Sequence, residues 1–509
     1  MDIVNVSSVP RDSIISQMQT LPANIYSVAS VREIDRTAIE DHGIPGYTLM
    51  TRAGTASLRE AKDRFPDAKR WQIVCGAGNN GGDGYVVARL AANEGIVVSV
   101  LTMVDPQSLK GDAATAYGDF AAEGGVVMPW AGELDMEADL LVDAILGSGL
   151  ERDVGGEYAK AVEAINEHVA PVLALDIPTG IHGDSGSRLG CAVDADLTVT
   201  FVGLKTGLFL DGAPDSCGEL SYDGLGIPDE WRSVVDPEFR RIDDALMHSA
   251  LPPRKRAAHK GDFGHVLVIG GGDGMPGAVR LCGEAALRAG AGRVSIATAR
   301  SHAAFLTATR PELMSHAIDG PANLEPLLEK ANVIAFGPGL GRSDWAQSLF
   351  EVMADDTRPA VWDADALNWL AESPASAVSR VITPHPGEAA TLLGLSTAEI
   401  QSDRLTAVRL LQERYGGIAV LKGAGSLIAA GSEAPSMCTS GNPGMAAAGM
   451  GDVLTGIIAA LLGQGLSTEQ AALTGVEAHA RAGDLAASGG QRGLMASDLI
   501  AELRSVINP

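Results

Sequence analysis

The sequence has few of the residues on which several common protein classes depend. It contains five cysteines, none of them in a Cys-x-x-Cys pair, which argues against a disulfide framework and against a zinc cluster. Scattered free cysteines fit a reducing compartment, so we expect a cytoplasmic protein. Aromatic residues make up only 4% of the chain. Aliphatic side chains must therefore supply most of the buried apolar area.

Basic residues are also scarce, with 38 Lys+Arg against 64 Asp+Glu and a formal net charge of −26. Nucleic acids and anionic membranes are bound through clustered basic side chains, so we expect neither as a partner. The most apolar stretch, residues 453–466, is too short and too interrupted by glycine to span a bilayer, and the N-terminus has no apolar signal segment. The chain has no Gly-x-x-x-x-Gly-Lys-Ser/Thr motif, which argues against a P-loop mechanism.

The chain has 509 residues, 46% of them hydrophobic, which is enough for several domains at roughly 100–200 residues each. Short β-branched runs alternate with Ala- and Leu-rich helical periodicity, a pattern typical of parallel sheets wrapped by helices. A stretch rich in proline and charge between Leu225 and His259 interrupts this alternation. We therefore predict a flexible leader at residues 1–21 and two α/β domains at residues 22–238 and 239–509.

Both domains have clear strand candidates. In the first they are Trp71–Cys75, Val97–Met103, Leu140–Val142, Val172–Leu175 and Leu197–Phe201, and in the second His265–Ile269, Arg293–Ala297, Val333–Phe336, Ala360–Trp362, Val381–Ile382 and Ala419–Leu421. Ligands of open α/β sheets bind outside the carboxyl ends of the strands. Residues that directly follow these strands are thus the first candidates for a functional site.

A glycine-rich segment, residues 76–84, follows the first of these strands and precedes a predicted helix at Tyr85–Ala92. It satisfies the Gly-x-Gly-x-x-Gly pattern, and Asp105 stands where a dinucleotide-binding fingerprint requires an acidic residue. However, Asp83 at the start of the helix would repel a pyrophosphate. Asp83 could instead cap the helix. The motif alone leaves dinucleotide binding and a different use of the segment open.

Two further strands end in acidic residues, Asp143 and Asp176. Either residue alone could be an ordinary loop or capping residue. Together, Asn80, Asp143 and Thr179 could offer an all-oxygen set of ligands, which suits a hard cation and not zinc. Asp176 then remains as a candidate general acid or base.

The motifs Gly-Asn-Asn-Gly-Gly-Asp-Gly, Val-Asp-Ala-Ile-Leu-Gly-Ser-Gly and Ala-Leu-Asp-Ile-Pro-Thr-Gly resemble the NAD(P)H-hydrate epimerase family, the YjeF N-terminal domain, over about residues 22–230. The resemblance implies a Rossmann-like three-layer α/β/α domain that interconverts the R and S forms of hydrated nicotinamide cofactors. It implies a potassium ion on Asn80, Asp143 and Thr179, with Asp176 as a catalytic residue. The substrate contacts that it implies are Asn79, Asn80, Gly81, Gly82, Asp83, Gly147, Ser148, Gly149, Leu150, Glu151, Arg152, Asp153 and Asp176.

A second glycine-rich segment, residues 441–452, leads into a predicted apolar helix at Val453–Leu462. Free backbone N–H groups at such a helix start can form an anion hole for a transferring phosphoryl group. Asp452 could accept a proton from an attacking hydroxyl, or it could simply cap the helix. Lys422 closes an apolar strand beside two glycines and suggests phosphate binding, whereas His385 could be an ordinary loop histidine.

The segments His-Lys-Gly at 259–261, Gly-Pro-Gly-Leu-Gly at 337–341, Thr-Pro-His-Pro-Gly-Glu at 383–388 and Asn-Pro-Gly-Met-Ala followed by Gly-Met-Gly-Asp resemble the ADP-dependent NAD(P)H-hydrate dehydratase family, over about residues 245–509. This resemblance implies a ribokinase-like α/β domain in which ADP, with Mg²⁺, phosphorylates the hydrate and phosphate then leaves. The two-domain arrangement is the basis for expecting ADP and not ATP. The implied contacts are Ala278, Gly341, His385 and Asp452 for the hydrate, and Lys422, Gly423, Ala424, Gly425, Ser426 and Gly451 for the nucleotide.

Taken together, the two resemblances imply a bifunctional repair enzyme, an isomerase joined to a lyase, acting on NADHX and NADPHX. We expect ADP and these small molecules as partners, and a homo-oligomer, with a tetramer or a larger assembly among the forms to consider. Three alternatives stay open at this point: a nicotinamide-dependent dehydrogenase, a ribokinase-like small-molecule kinase, and a nucleotide-binding module without catalysis.

Overall fold

The computed structural model describes residues 21–508, so the predicted leader lies, except for Leu21, outside the described residues. The chain divides into two compact units, with the division between Phe239 and Arg240. Among residues 21–508, no helix combines the length and the apolar character needed to cross a membrane.

The first unit is built on a parallel sheet. Its strands are β1 (Asn24–Tyr26), β2 (Arg70–Cys75), β3 (Val97–Thr102), β4 (Val127–Pro129), β5 (Leu140–Ala144), β6 (Val172–Leu175), β7 (Leu197–Phe201), β8 (Leu204–Lys205) and β9 (Glu219–Asp223). The sheet order is β4-β3-β2-β5-β6-β7-β9, and β1 pairs separately with β8. Ile73 on β2 lies opposite Val100 on one side and Val142 on the other. Helices cover both faces of this sheet, and the residues at its centre are therefore apolar.

Helices connect the strands of the first unit. They are α1 (Val28–Arg36), α2 (Gly46–Arg64), α3 (Asn79–Asn93), α4 (Gly111–Ala122), α5 (Glu157–Glu167), α6 (Ala213–Cys217) and α7 (Asp229–Arg232), with a π-helical turn at Thr37–Asp41. The sequence places the start of α3 at Tyr85, and this prediction is wrong because the helix already begins at Asn79. Two glycines permit the early start: a Cβ on Gly81 would lie 2.2 Å from the carbonyl oxygen of Gly76, and one on Gly84 would lie 2.6 Å from the Ala144 side chain.

The second unit contains a larger, mixed sheet. Its strands are β10 (Phe239–Arg241, which spans the division), β11 (His265–Ile269), β12 (Arg293–Thr298), β13 (Met314–Ala317), β14 (Val333–Phe336), β15 (Ala360–Trp362), β16 (Arg380–Ile382), β17 (Ile418–Leu421), β18 (Ser426–Ala429) and β19 (Ser436–Cys438). The order is β13-β12-β11-β14-β15-β16-β17-β18-β19-β10. The strands from β13 to β17 are parallel, but β18 is antiparallel to both of its neighbours. The pair of β17 and β18 is antiparallel because the short link between them cannot hold the crossover helix that a parallel pair needs.

The helices of the second unit are α8 (Asp244–Ala250), α9 (Pro276–Arg288), α10 (Pro321–Leu328), α11 (Asp344–Ala354), α12 (Asp365–Glu372), α13 (Pro386–Leu393), α14 (Thr397–Ser402), α15 (Arg404–Tyr415), α16 (Met450–Gly463), α17 (Thr468–Ala486) and α18 (Ala496–Val506). Helix α16 is the predicted apolar helix, and it is buried along most of its length. It begins at Met450 instead of Val453, which moves Asp452 into its first turn.

Candidate active sites

A cavity of about 700 Å³ lies at the carboxyl edge of the first unit's sheet. Strand β2 has β3 on one side and β5 on the other, so the sheet order reverses at this place. Open α/β sheets bind their ligands at such a reversal. The cavity is lined by the segments after β2, β5, β6 and β7 and by residues of α1 and α2.

Asp176 follows β6 and lines this cavity. Its backbone φ is 68°, a conformation that costs a non-glycine residue about 1–3 kcal/mol. Its carboxylate forms an ion pair with the ammonium of Lys205, which also donates hydrogen bonds to the Thr200 hydroxyl at 3.0 Å and the Phe201 carbonyl at 2.9 Å. Lys205 is 1% exposed, and its backbone is fixed by the pairing of β8 with β1. The ion pair is therefore fixed in position, and the Asp176 carboxylate still lies at the cavity.

Four more carboxyl groups line the same cavity: Asp35 from α1, Asp83 from α3, Asp112 from α4, and Glu151. Burial raises the pKa of Asp83 well above its ordinary value, and the negative charges of Asp176 and Asp35 raise it further. Burial also raises the pKa of Asp35, against the opposing effect of Lys205. A carboxyl group with a raised pKa can hold its proton and act as a general acid.

Most of the residues predicted to contact the hydrate in the first unit line the cavity. Those that do are Asn79, Asn80, Asp83, Gly147, Ser148, Gly149, Leu150, Glu151, Arg152 and Asp176. Gly81 and Gly82 are buried and pack against Gly76 and Met50, and Asp153 is exposed outside this lining. The dinucleotide-fingerprint interpretation of Asp105 fails, because this residue is exposed and caps a short 3₁₀ turn by accepting the Gln107 N–H at 3.0 Å.

Asp143 and Thr179, two of the three predicted potassium ligands, are in direct contact. The Asp143 carboxylate accepts the Thr179 hydroxyl and the Thr179 N–H, both at 2.7 Å. Asp143 lies inside β5 and is fully buried, and burial raises its pKa to about 6. Asn80 is 8% exposed, and both polar atoms of its side-chain amide lack a hydrogen-bond partner within the described part of the chain. A buried amide oxygen without such a partner is suited to act as a ligand of a bound cation.

Asp452 lies in the first turn of α16, the buried helix of the second unit. The helix cap is Gly449, with φ of 89°, so the interpretation of Asp452 as the N-cap is wrong. Burial raises the pKa of Asp452 to about 7, with a further rise from Asp363 and an opposing effect of Lys422. A carboxyl group with this pKa can accept a proton near neutral pH.

Lys422 lies beside this helix start. Its ammonium donates to the Asp363 carboxylate at 2.8 Å and lies 3.8 Å from the carboxylate of Glu388. Asp363 is 1% exposed and also accepts the Thr455 hydroxyl at 2.9 Å. Burial alone would raise the pKa of Asp363, but Lys422 and Thr455 outweigh it and the pKa is lowered. The buried pair of Asp363 and Lys422 is therefore charged.

The segment Lys422–Ser426, predicted to bind nucleotide, forms the turn between β17 and the start of β18. Arg404 stabilises this turn, because its guanidinium donates hydrogen bonds to the carbonyl oxygens of Ala424 and Leu421. Within the turn, the Ser426 hydroxyl donates to the Gly423 carbonyl at 3.0 Å. The predicted nucleotide residue Gly451 lies close to this turn, because a Cβ on it would be 3.2 Å from Lys422 Nζ.

The remaining predicted hydrate contacts of the second unit follow other strands of its sheet. His385 caps α13 by accepting the N–H groups of Gly387 and Glu388, while its ring is largely exposed. Gly341 has φ of 77° and donates its N–H to Asp365 at 2.8 Å. Ala278 lies in the first turn of α9, where its Cβ is 3.0 Å from the Cβ position of Gly339. His385 also joins the Lys422 cluster indirectly, since Glu388 accepts the His385 N–H at 2.7 Å.

Residues of these clusters that were not predicted from the sequence include Lys205, Asp363 and Arg404. Asp363 directly follows β15, so the rule that singled out Asp176 applies to it as well. Lys205 ends an apolar segment, a place where an unpaired lysine would be costly. Arg404 gives no sequence signal, because its role depends on how α15 packs beside β17 and β18.

Each of the two units matches a known protein family. Residues 46–207 match the family of the YjeF-related protein N-terminus, and residues 266–505 match the NAD(P)H-hydrate dehydratase family. The chain is 47% identical to the bifunctional NAD(P)H-hydrate repair enzyme Nnr of Coxiella burnetii, over 95% of this chain and 99% of that protein. It is 44% identical to the enzyme of the same name from Escherichia coli, over 96% of this chain and 95% of that protein.

Among solved structures, a ribokinase-like superfamily protein from Enterococcus faecalis is 28% identical with a TM-score of 0.50, and the match covers 53% of this chain and 98% of that chain. The predicted fold class of two α/β domains, one Rossmann-like and one ribokinase-like, is confirmed. The chain belongs to the family of bifunctional NAD(P)H-hydrate repair enzymes.

Proposed function

We propose that the first unit interconverts the R and S forms of NADHX and NADPHX, and that the second unit dehydrates the S form at the expense of ADP. One observation carries the proposal: each unit places a carboxyl group beside a buried lysine at the carboxyl edge of its sheet. These pairs are Asp176 with Lys205 and Asp452 with the Asp363-bound Lys422.

Inversion at the hydroxyl-bearing carbon requires proton transfer to a departing oxygen and from an arriving one. Asp176 is the candidate for this transfer, because it lines the cavity and stays within reach of solvent with its side chain 17% exposed. The segment from Gly147 to Arg152 forms another part of the lining and would contact the remainder of the hydrate.

A potassium ion fits beside this cavity. Asn80, Asp143 and Thr179 present oxygen ligands, which potassium prefers, and the buried amide oxygen of Asn80 has no hydrogen-bond partner among residues 21–508. When bound, the ion would supply positive charge next to the substrate pocket. Asn79 and Asn80 lie in the first turn of α3, so the ion would also fix the start of that helix.

In the second unit, Asp452 would take the proton from the hydrate hydroxyl as its oxygen attacks the terminal phosphorus of ADP. AMP leaves, and the phosphate ester then eliminates phosphate to restore NADH or NADPH. The N–H groups at the start of α16 and the Lys422 ammonium would stabilise the negative charge of the transferring group. A glycine at position 451 favours the approach of that group, because a Cβ there would lie 3.2 Å from Lys422 Nζ.

Magnesium belongs to the same proposal. Within residues 21–508, no group of three or more His, Cys, Asp or Glu side chains is placed to hold a metal ion. Magnesium is often held by one or two carboxylates together with substrate phosphates. The Glu388 carboxylate, 3.8 Å from Lys422, is one candidate ligand, and the nucleotide would supply the others.

The test uses the full chain, purified S-NADPHX, ADP and Mg²⁺. We expect equimolar AMP, phosphate and NADPH, and no stable phosphorylated hydrate. Accumulation of a phosphorylated product would indicate a small-molecule kinase, and hydride transfer without ADP would indicate a dehydrogenase. The domain limits at residues 238 and 239, the homo-oligomer and the cytoplasmic location stay predictions.

A further inference from the structure

The cavity of the first unit contains more acid–base groups than one proton transfer needs. Five carboxyl groups line it, those of Asp35, Asp83, Asp112, Glu151 and Asp176, and the buried Lys205 is paired with Asp176. An epimerase that works in both directions has to add a proton to oxygen on one face of the ring and remove one on the other. Two groups in opposite protonation states can do this without moving the substrate.

We propose that Asp83 and Asp176 are paired catalytic carboxyl groups, one protonated and one ionised, and that Lys205 and Asp35 are positioning residues that decide which of them holds the proton. This inference rests on the proposed epimerase function and adds the residues that perform each half of it.

The two carboxyl groups reach the cavity from separate and rigid parts of the unit. Asp83 lies in the first turns of α3, which the glycines Gly81 and Gly84 hold close to the sheet. Asp176 follows β6 in its left-handed conformation, where the Lys205 ammonium holds its carboxylate. Each carboxyl group is held by its own element, so neither depends on the other for its position.

The charged groups around the two carboxyl groups differ. The Lys205 ammonium is in ion-pair contact with the Asp176 carboxylate. Within residues 21–508, no cation is in contact with the Asp83 carboxyl group. Burial, together with the charges of Asp176 and Asp35, raises the pKa of Asp83 against an opposing effect of Lys205. The other titratable groups that face this pair are Asp112, Cys75, Arg32, Glu151 and Arg152.

The reaction balances without a further reagent. The protonated carboxyl group gives its proton to the hydroxyl of the hydrate, the C–O bond breaks, and water leaves as the ring nitrogen's electron pair forms a C=N bond. Water then adds to the other face of that carbon and gives a proton to the ionised carboxylate. The two carboxyl groups have exchanged states, and the reverse reaction uses the same steps in the opposite order.

The experiment uses Asp83→Asn and Asp176→Asn in the full chain, with each purified epimer in oxygen-18 water. Both variants should interconvert the epimers at least about 100-fold more slowly than the parent. Each variant retains one of the two carboxyl groups, which can still act on one face of the ring. Each variant should therefore exchange the hydroxyl oxygen of one epimer with solvent without inverting that carbon. The epimer that exchanges should differ between the two variants.

Two outcomes would overturn the pairing. One is interconversion by Asp83→Asn within about tenfold of the parent rate. The other is exchange in the same epimer, or in neither epimer, for both variants. Asp83→Glu retains an exchangeable proton and should recover at least about tenfold over Asp83→Asn, while equal rates would also count against the proposal.

The positioning residues have their own readout. Removing the charge of Asp35 lowers the pKa of Asp83, so Asp35→Asn should move the alkaline loss of epimerisation to lower pH, and an unchanged profile would contradict its role. Lys205→Met should lose at least about 100-fold in kcat with little change in KM, and Lys205→Arg should restore most of that loss. Equal effects of the two substitutions would indicate a merely structural lysine.

Dehydration of S-hydrate by the second unit provides the control for each variant. If the parent chain does not interconvert the epimers at all, the proposed epimerase function fails. If the parent does and the variants behave like it, only the pairing of Asp83 with Asp176 fails.

Discussion

Lys422 Nζ lies 2.8 Å from the carboxylate of Asp363, a side chain that is 1% exposed at the end of β15. The same ammonium lies 3.2 Å from the Cβ position of Gly451 at the start of α16. Asp363 thus holds the lysine against the helix start where a phosphoryl group would be bound. On the proposed function, we therefore expect Lys422 to contact the transferring group and not the distant end of the nucleotide.

Substitution of Lys422 by methionine should therefore reduce kcat for S-hydrate dehydration by about 100-fold or more, because a charged donor to the transferring group is lost. Steady-state kinetics with saturating ADP measures this effect. Lys255→Met, at an exposed lysine of the same unit, is the matched control and should be neutral. A Lys422→Met enzyme with unchanged kcat and raised KM for ADP would show that the lysine only binds nucleotide.

Asp452→Asn should abolish dehydration while it largely preserves nucleotide binding. The carboxyl group is in the first turn of α16 but does not cap the helix, so the amide should leave the fold intact. Isothermal titration with ADP and a turnover assay on the same preparation measure the two properties. Loss of ADP affinity parallel to the loss of turnover would contradict a role as the base.

The pH dependence of the second unit should follow Asp452. Its pKa is raised to about 7 by burial, and the base is useful only when it is ionised. The kcat/KM for S-hydrate should therefore rise with pH through about 7 and level off above it. A profile that is flat between about pH 6 and 8 would contradict the assignment.

Much of this arrangement is predictable from the sequence, because short apolar runs that end in Gly or Asp mark the parallel strands. Each predicted strand is present, with ends that differ by at most a few residues. Short, polar or peripheral strands such as β4, β9 and β19 were not predicted, since their pairing depends on the neighbours that the fold supplies. The predicted first residues of α3 and α16 lie several residues C-terminal to the observed ones. Glycine disfavours a helix in sequence-based prediction, and only the packing of the fold shows why these glycines are helical.

The residues of the candidate sites could be predicted from the sequence only in part. Asp176 and Asp452 follow from their position after a strand and at a helix start. The lysine partners could not be assigned, because Lys205 reaches Asp176 from another strand and Lys422 reaches Asp363 across the sheet. Such contacts depend on which strands are neighbours in the sheet, and this order cannot be predicted from the local sequence.

Potassium should stabilise the first unit through Asn80. The amide of Asn80 has no partner among the described residues, so Asn80→Leu should cost little stability in potassium-free buffer. Thermal unfolding of the parent should shift upward when potassium replaces sodium, and this shift should vanish in Asn80→Leu. An equal potassium effect in both proteins would place the ion elsewhere.

The proposed function requires two separate sites that act in sequence on one pool of hydrate. The most direct measurement follows the recovery of NADPH from a mixture of R- and S-NADPHX with ADP, Mg²⁺ and K⁺, for the parent chain and for Asp176→Asn. We predict complete recovery by the parent, and recovery of the S fraction alone by the variant at an undiminished initial rate. Equal loss of both fractions in the variant, or complete recovery by it, would contradict the account.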